Sequence, residues 1–314
     1  GDFLAAPWSD PLNAQAYGWI LWMGFLVNAT CGLIGNYLIL RRMALVGDAI
    51  SHSILPGLAI AFFLANSLDA PVMFLGAVVA GLLATAIIEF IHGRTKVKAD
   101  AAIGITFTTF FAIGVILINV FAGKIHLDAE CVLYGDLNFL PFEPDRLGIL
   151  GRDFGPLPVG VMFFVALMVV LLVFVFYKEL LLSSFDVSLA DALGFSPRII
   201  HYALMAVLSL VVVGAFEAVG AILVIAMLIL PGATAQLLSN RLPRVLGLSV
   251  LVAAISALGG LYLGVTMNLP IAAAMVVAGA VLFGLAWLFA PQQGLVWRGF
   301  RNFEEPAGEP EITG

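Results

Sequence analysis

The most informative stretch for the fold is the entry into the second apolar run, Arg41-Arg42-Met43-Ala44-Leu45-Val46-Gly47-Asp48-Ala49-Ile50-Ser51-His52-Ser53-Ile54-Leu55-Pro56-Gly57. Two arginines mark its start, and apolar residues dominate from there to about residue 68. A helix rises about 1.5 Å per residue, so about 20 apolar residues cross the roughly 30 Å of hydrocarbon in a bilayer. The stretch therefore predicts a membrane-spanning helix that begins at a basic interface and carries an Asp and a His inside the membrane.

The composition of the whole chain is that of a membrane protein. Of its 314 residues, 62% are hydrophobic and 11% are charged, whereas soluble domains carry about a quarter charged residues. Apolar runs that could span a bilayer lie at about residues 17–40, 44–68, 71–91, 101–121, 157–177, 199–216, 218–238, 244–264 and 269–290. The run 199–216 is the shortest, so the sequence predicts an all-α bundle of about eight to nine transmembrane helices. The chain has no basic patch for nucleic acid.

Lysines and arginines mark one end of the predicted spans. They follow alternate runs at Arg41, Arg42, Arg94, Lys96, Lys98, Lys178, Arg198, Arg241, Arg244, Arg298 and Arg301. Because short cytoplasmic loops retain positive charge, we expect this end to be cytoplasmic. The prediction then gives an extracytoplasmic segment 1–16, a transmembrane domain 17–290 and a cytoplasmic tail 291–314. We expect the tail to be flexible, since its Pro, Gly and Glu residues cannot build a core.

Small residues recur at four-residue spacing in two of the runs. Gly76, Ala80 and Ala84 share one helix face, and so do Gly260 and Gly264. Such faces let helix backbones approach closely, so they predict a tightly packed bundle.

The candidate functional residues are Asp48 and His52. They are four residues apart, so a helix places both side chains on one face. An Asp at the centre of a lipid-facing helix costs about 3 kcal/mol, which favours a bundle interior or a water-filled path. Pro56 has no N–H for the carbonyl of His52, so we expect a kink there. Mixed oxygen and nitrogen ligands suit Mn²⁺, Fe²⁺ or Zn²⁺. The alternative is that the two side chains only pair with each other or with a neighbouring helix.

A second acidic residue in an apolar region is Glu217, placed by the sequence at a tight outward turn. It could complete or gate the site, or it could be an interfacial carboxylate exposed to water. Asp100 begins the fourth run and is more typical of an N-terminal helix charge than of a ligand.

The basic end also carries a short predicted helix, between the fifth and sixth runs at about residues 184–197. Ser188 and Asp191 form an N-terminal capping pattern, and Gly194 with Pro197 marks the stop. Leu189 and Leu193 share a face that needs a partner. Because helices on membrane surfaces usually carry Lys or Arg and this one carries Asp186 and Asp191, docking on a cytoplasmic protein fits better.

The stretch 41–57, together with Val219-Gly220 and Leu230-Pro231-Gly232-Ala233-Thr234-Ala235, resembles the metal-ion branch of ABC importer permeases, from about residue 15 to 290. This resemblance implies a fold like that of the vitamin B12 importer permeases (type II). It also implies a second permease chain, two ATP-binding subunits and an extracytoplasmic metal-binding protein. The Val132-Leu133-Tyr134-Gly135-Asp136 stretch is similar to the manganese and iron members.

By this likeness, Asp48 and His52 correspond to the metal-contacting positions, and the segment 184–197 is the helix that couples to the ATPase. The contact residues we expect there are Phe185, Asp186, Leu189, Ala190, Leu193 and Gly194. No G-x-x-x-x-G-K-[ST] motif occurs in the chain, so ATP would bind a partner. We expect no permanently bound cofactor, only a transported Mn²⁺, Zn²⁺ or Fe²⁺.

The resulting hypothesis is a permease subunit in a bacterial cytoplasmic membrane, working by alternating access. Two other classes remain open from the sequence. One is an ion-coupled secondary metal carrier that needs no ATPase. The other is a membrane enzyme with a catalytic metal at Asp48 and His52, which is weaker because no H-E-x-x-H pattern is present.

Overall fold

The computed structural model describes residues 11–65, 70–121, 137–142, 146–149 and 152–290. The helices are α1 Pro11–Leu40, α2 Leu45–Ser53, α3 Leu55–Ala65, α4 Ala70–Arg94, α5 Ala99–Phe121, α6 Leu157–Val175, α7 Tyr177–Phe185, α8 Val187–Ala192, α9 Pro197–Leu238, α10 Leu242–Met267 and α11 Ile271–Phe289. Within these described ranges, eight segments are long and apolar enough to cross a membrane, counting α2 and α3 as one, and Ile222–Leu238 is a shorter apolar helix. These numbers agree with the predicted eight to nine helices.

Helix α1 runs through the centre of the bundle. It begins at Pro11, earlier than the predicted start at residue 17, because proline is well suited to the first turn of a helix. Its end is a Schellman turn, in which the Met43 N–H donates to the Leu38 carbonyl at 2.9 Å. Arg42 occupies the left-handed position of this turn with φ 59°, where glycine is usual. The turn fixes how the chain enters α2.

The second span is interrupted close to Pro56, where the kink was predicted. Helix α2 ends at Ser53, Ile54 interrupts it, and Pro56 is the second residue of α3. Proline lacks the N–H that would continue the α2 hydrogen bonding, which accounts for the break. The break lies against α5, because a Cβ added at Gly114 would come within 2.8 Å of Leu55 Cβ and 3.0 Å of the Pro56 nitrogen.

Helix α9 consists of two arms that double back at Gly220. A straight 42-residue helix would hold its ends about 60 Å apart. Instead, both ends contact the C-terminal end of α1. Arg41 bonds His201, and Gln236 bonds the Asn36 carbonyl. Gly220 has φ 77° and ψ 166°, outside the helical region. The predicted turn near 217 therefore falls three residues later. Pro231 lies inside the second arm, which remains helical across it.

The small-residue faces pack as predicted. A Cβ at Gly57 would lie 2.5 Å from Ala80 Cβ and would overlap the Gly76 carbonyl. A Cβ at Gly260 would overlap the Met275 backbone, so α10 and α11 touch along the second predicted face. Helices α3 with α4 and α10 with α11 therefore meet backbone to backbone.

The end of the bundle opposite Arg41 and Arg42 carries a β-hairpin, an element that the apolar runs of the sequence did not predict. Strands β1 Arg146–Ile149 and β2 Arg152–Pro156 form an antiparallel hairpin with an irregular register. Before it, Asn138 accepts a hydrogen bond from the Ile271 N–H at 3.3 Å, which ties this end to the start of α11. The hairpin is an addition to a bundle that is otherwise helical in the described ranges.

The short helix at the basic end is α8, and its cap differs from the prediction. Asp186 is the N-cap residue, and its carboxylate accepts the Leu189 N–H at 2.9 Å, whereas Ser188 lies inside the helix. The Asp186 carboxylate reaches the third residue on from it, which is the usual N-cap geometry. The stop at Gly194 is present, with φ 84°. Pro197 begins α9.

Candidate metal site

Asp48 and His52 lie on one face of α2, one turn apart, as their spacing predicts. The His52 Nε2 is 3.4 Å from the Asp48 Oδ1. Asp48 is in the first turn of α2 and His52 is in the last. Two potential ligand atoms of different chemistry therefore point to the same place.

Aromatic rings of α5 hold the imidazole in position. The ring centroids of His52 and Phe107 are 5.2 Å apart, and those of His52 and Phe111 are 5.9 Å apart in an edge-to-face arrangement. Phe107 and Phe111 are themselves one turn apart on their helix. Helix α5 can approach this closely because Gly114 has no side chain at the α2–α3 break.

The exposure of the pair argues against a purely structural role. The Asp48 side chain is 39% exposed and that of His52 is 19% exposed, although both belong to a membrane-spanning segment. A carboxylate facing lipid at depth costs about 3 kcal/mol, so this surface must meet water or another protein.

The two side chains do not complete a metal site by themselves. Within the described residues, no group of three or more His, Cys, Asp or Glu side chains could hold a metal ion. The backbone of Glu217 is helical in the first arm of α9, but its side chain lies outside the described part of the structure. The Val132–Asp136 stretch lies outside it as well. Further ligands would have to come from Glu217, water or a second chain.

Sequence reasoning missed a polar network at the basic end. Arg41 donates from Nη2 to Ser183 Oγ at 2.7 Å and from Nε to Ser184 Oγ at 3.2 Å. Its Nη1 lies 3.3 Å from His201 Nδ1, and His201 Nε2 lies 2.7 Å from Glu89 Oε1. Burial lowers the pKa of the Arg41 guanidinium, against an opposing effect of Tyr37. The available signal was that Glu89 and His201 are ionisable residues at the ends of apolar runs.

This network borders a cavity of about 1030 Å³ at the basic end. Besides the network residues, the walls include Arg42, Arg94 and Arg198. Positive charge therefore surrounds the opening between α4, α7 and α9.

The predicted coupling residues divide into exposed and buried ones. Phe185, Leu189 and Leu193 are large apolar side chains that are 63%, 46% and 58% exposed. Asp186 and Gly194 are exposed as well. Ala190 is completely buried, so it faces the bundle and not a partner, which corrects its place among the predicted contacts.

A lipid-embedded bundle with an exposed carboxylate–imidazole pair and an apolar helix presented at its basic end defines a membrane transport subunit. Comparison with known families gives the class directly. The ABC 3 transport family matches residues 14–290. The chain belongs to this family, as the sequence resemblance predicted.

Individual relatives and a solved structure agree with this assignment. The chain is 42% identical over 284 residues to the manganese transport system membrane protein MntD of Bacillus subtilis, covering 90% of this chain and 95% of that one. It is 41% identical over 279 residues to the zinc transport system membrane protein TroD of Treponema pallidum, covering 89% and 75%. The structure of PsaBC from Streptococcus pneumoniae in complex with Fab superposes with a TM-score of 0.75 at 35% identity, covering 97% and 99%. The predicted ABC importer permease fold is confirmed.

Proposed function

We propose that this chain is the membrane-spanning permease subunit of an ATP-driven importer of divalent transition metal ions, with Mn²⁺ favoured over Zn²⁺ and Fe²⁺. Family membership supports the transporter class, and relatives named for manganese and zinc support the substrate class. The same membership favours ATP-driven transport over the ion-coupled carrier and the membrane enzyme.

The observation that carries the proposal is the 3.4 Å approach of His52 Nε2 to Asp48 Oδ1 on an exposed face inside the membrane. A carboxylate oxygen and an imidazole nitrogen are suitable ligands for Mn²⁺, Fe²⁺ and Zn²⁺. Two ligands from this chain leave coordination positions open, so the ion is held transiently and can leave. Glu217, water or a second permease chain supplies the remaining ligands.

The energy for transport comes from partner subunits that hydrolyse ATP. The sequence contains no G-x-x-x-x-G-K-[ST] motif, so ATP binds to separate subunits. Helix α8 presents Leu189 and Leu193 to a groove on such a subunit, because exposed leucines at the basic end need cover. A second permease chain, an extracytoplasmic metal-binding protein and the cytoplasmic membrane of a bacterium complete the setting. Transport proceeds by alternating access.

The test is metal-stimulated ATP hydrolysis by the complex reconstituted in vesicles. Asp48→Ala and His52→Ala should assemble with the ATPase subunits and retain basal hydrolysis, but lose stimulation by Mn²⁺ and Mn²⁺ uptake. Asp100→Ala is the matched control, since it removes a carboxylate from the start of α5 and not from the site. Full stimulation in either site variant would remove that residue from the metal site.

A further inference from the structure

The network of Arg41, His201 and Glu89 links elements that are far apart in the sequence. The bonds from Arg41 to Ser183 and His201 span 142 and 160 residues, and the bond from His201 to Glu89 spans 112. These contacts join the end of α1, the last turn of α7, α4 and the first arm of α9. No local motif requires such an arrangement.

The chemistry of the side chains determines which group donates and which accepts in each hydrogen bond of the network. A guanidinium group only donates hydrogen bonds, so His201 Nδ1 accepts from Arg41. The imidazole proton is then on Nε2, which donates to the Glu89 carboxylate. The positive charge of Arg41 and the negative charge of Glu89 are thus joined through a neutral imidazole. Both His201 and Glu89 are largely enclosed, with side chains 21% and 13% exposed.

Arg41 holds the segment that leads into α8. Ser183 and Ser184 belong to the last turn of α7, and Asp186, the N-cap of α8, follows two residues after Ser184. The Ser183 hydroxyl donates to the Leu180 carbonyl and accepts from Arg41, so it is fixed on both sides. A displacement of α8 would therefore reach Arg41 through two hydrogen bonds.

Arg41 also leads into the helix that carries the metal site. It lies seven residues before Asp48, inside the Schellman turn at residues 38–43 that precedes α2. A hydrogen-bonded turn resists bending. The turn and α2 would therefore move together when Arg41 moves. The cavity of about 1030 Å³ beside the network leaves room for such movement, which a close-packed core would not allow.

We propose that Arg41, His201 and Glu89 are positioning residues that transmit movement of α8 to Asp48 and His52 on α2. This inference rests on the proposed function, because it assumes that a partner ATPase moves α8. The network carries the movement to α4 and the first arm of α9 at the same time. Metal occupancy and ATP hydrolysis are thereby coupled through this network and the turn that precedes α2.

The test uses the double variant Ser183→Ala with Ser184→Ala in the assembled complex. It removes both bonds from α7 to Arg41 but leaves no buried charge without a partner. We expect Mn²⁺-stimulated ATP hydrolysis and Mn²⁺ uptake to fall at least threefold, with unchanged basal hydrolysis and unchanged Mn²⁺ binding in the absence of ATP. Ser196→Ala is the matched control, because Ser196 is at the same end of the bundle and its side chain makes no capping bond.

A second variant tests the charged half of the network. Glu89→Gln keeps the size of the side chain and one acceptor oxygen but removes the charge opposite Arg41. It should also reduce the Mn²⁺ stimulation of ATP hydrolysis without reducing Mn²⁺ binding. Arg94→Gln, on the same cavity wall, is the control and should leave the stimulation unchanged.

The outcomes separate the two proposals. Full stimulation and uptake in the double serine variant would overturn the transmission role. Loss of Mn²⁺ binding in that variant would overturn it too, because the network would then belong to the site itself. If the variant complex no longer assembled, the network would have a role in stability alone, and the transmission role would again be overturned. Absence of Mn²⁺ stimulation in the wild-type complex would instead refute the proposed function.

Discussion

The imidazole of His52 packs against the ring of Phe107, with centroids 5.2 Å apart and planes inclined by 51°. Phe111 meets the same imidazole edge-on. Two rings on α5 therefore restrict the rotamer of a ligand on α2 while its Nε2 stays beside Asp48. The candidate site is preorganised by aromatic packing and not by hydrogen bonds alone.

Replacing the rings should weaken metal binding without removing a ligand. Aromatic pairs contribute about 0.5–1.5 kcal/mol beyond their area. For Phe107→Leu combined with Phe111→Leu, we therefore expect the Kd for Mn²⁺ to rise by about threefold to tenfold. Titration of the purified complex without ATP measures the change. Phe110→Leu serves as the control, because that ring lines an apolar groove away from His52. An unchanged Kd in the double variant would contradict preorganisation by the rings.

The N-cap of α8 should control capture of the ATPase subunit. Helix α8 has six residues, and helices this short are unstable in isolation, so its cap matters. Asp186→Ala should cost about 0.5–2 kcal/mol of helix stability and weaken capture by roughly twofold to thirtyfold. Asp186→Ser retains a capping oxygen, so its affinity for the ATPase subunit should be close to that of the wild type. Affinity for the isolated ATPase subunit is the measurement. Equal affinity of the Ala and Ser variants would show that the cap is not needed for docking.

Local patterns predicted much of this molecule because their physical cause is local. The 20-residue apolar runs gave the spans, the four-residue spacing placed Asp48 beside His52, and Pro56 gave the break after α2. The cap of α8 was misplaced because Asp186 and Ser188 are both good capping residues, and the Ser188–Asp191 pattern favoured the wrong one.

The remainder depends on contacts that a single sequence does not display. His201 and Glu89 are 112 residues apart, and no local sequence pattern at either residue predicts contact with the other. Likewise, the exposure of Asp48 depends on how α2 and α5 pack. The exact reversal point at Gly220 was missed because Glu217 and Gly220 are both plausible at a turn, and only φ distinguishes them.

The close approach of α3 and α4 should be sensitive to a single methyl group. A Cβ at Gly57 would overlap the Gly76 carbonyl, which belongs to the backbone and cannot swing away. Gly57→Ala should therefore destabilise the protein by about 1–3 kcal/mol. Gly247→Ala in α10 has open space around its Cβ and should be neutral or stabilising by up to about 1 kcal/mol. Thermal unfolding in detergent compares the two, and equal midpoints would contradict backbone contact at Gly57.

The reversal of α9 at Gly220 gives the last prediction. With φ 77° and ψ 166°, this residue occupies a region that is essentially restricted to glycine, and a side chain there costs about 1–3 kcal/mol. Gly220→Ala should therefore lower the unfolding midpoint by several degrees. Gly214→Ala is the control within the same arm, because its Cβ would meet Met162 Sδ at 3.5 Å, an ordinary contact. If Gly220→Ala has the same unfolding midpoint as the wild type, the chain does not reverse through this residue. The contacts of Arg41 with His201 and of Gln236 with Asn36 would then need another turn to bring both ends of α9 to one end of the bundle.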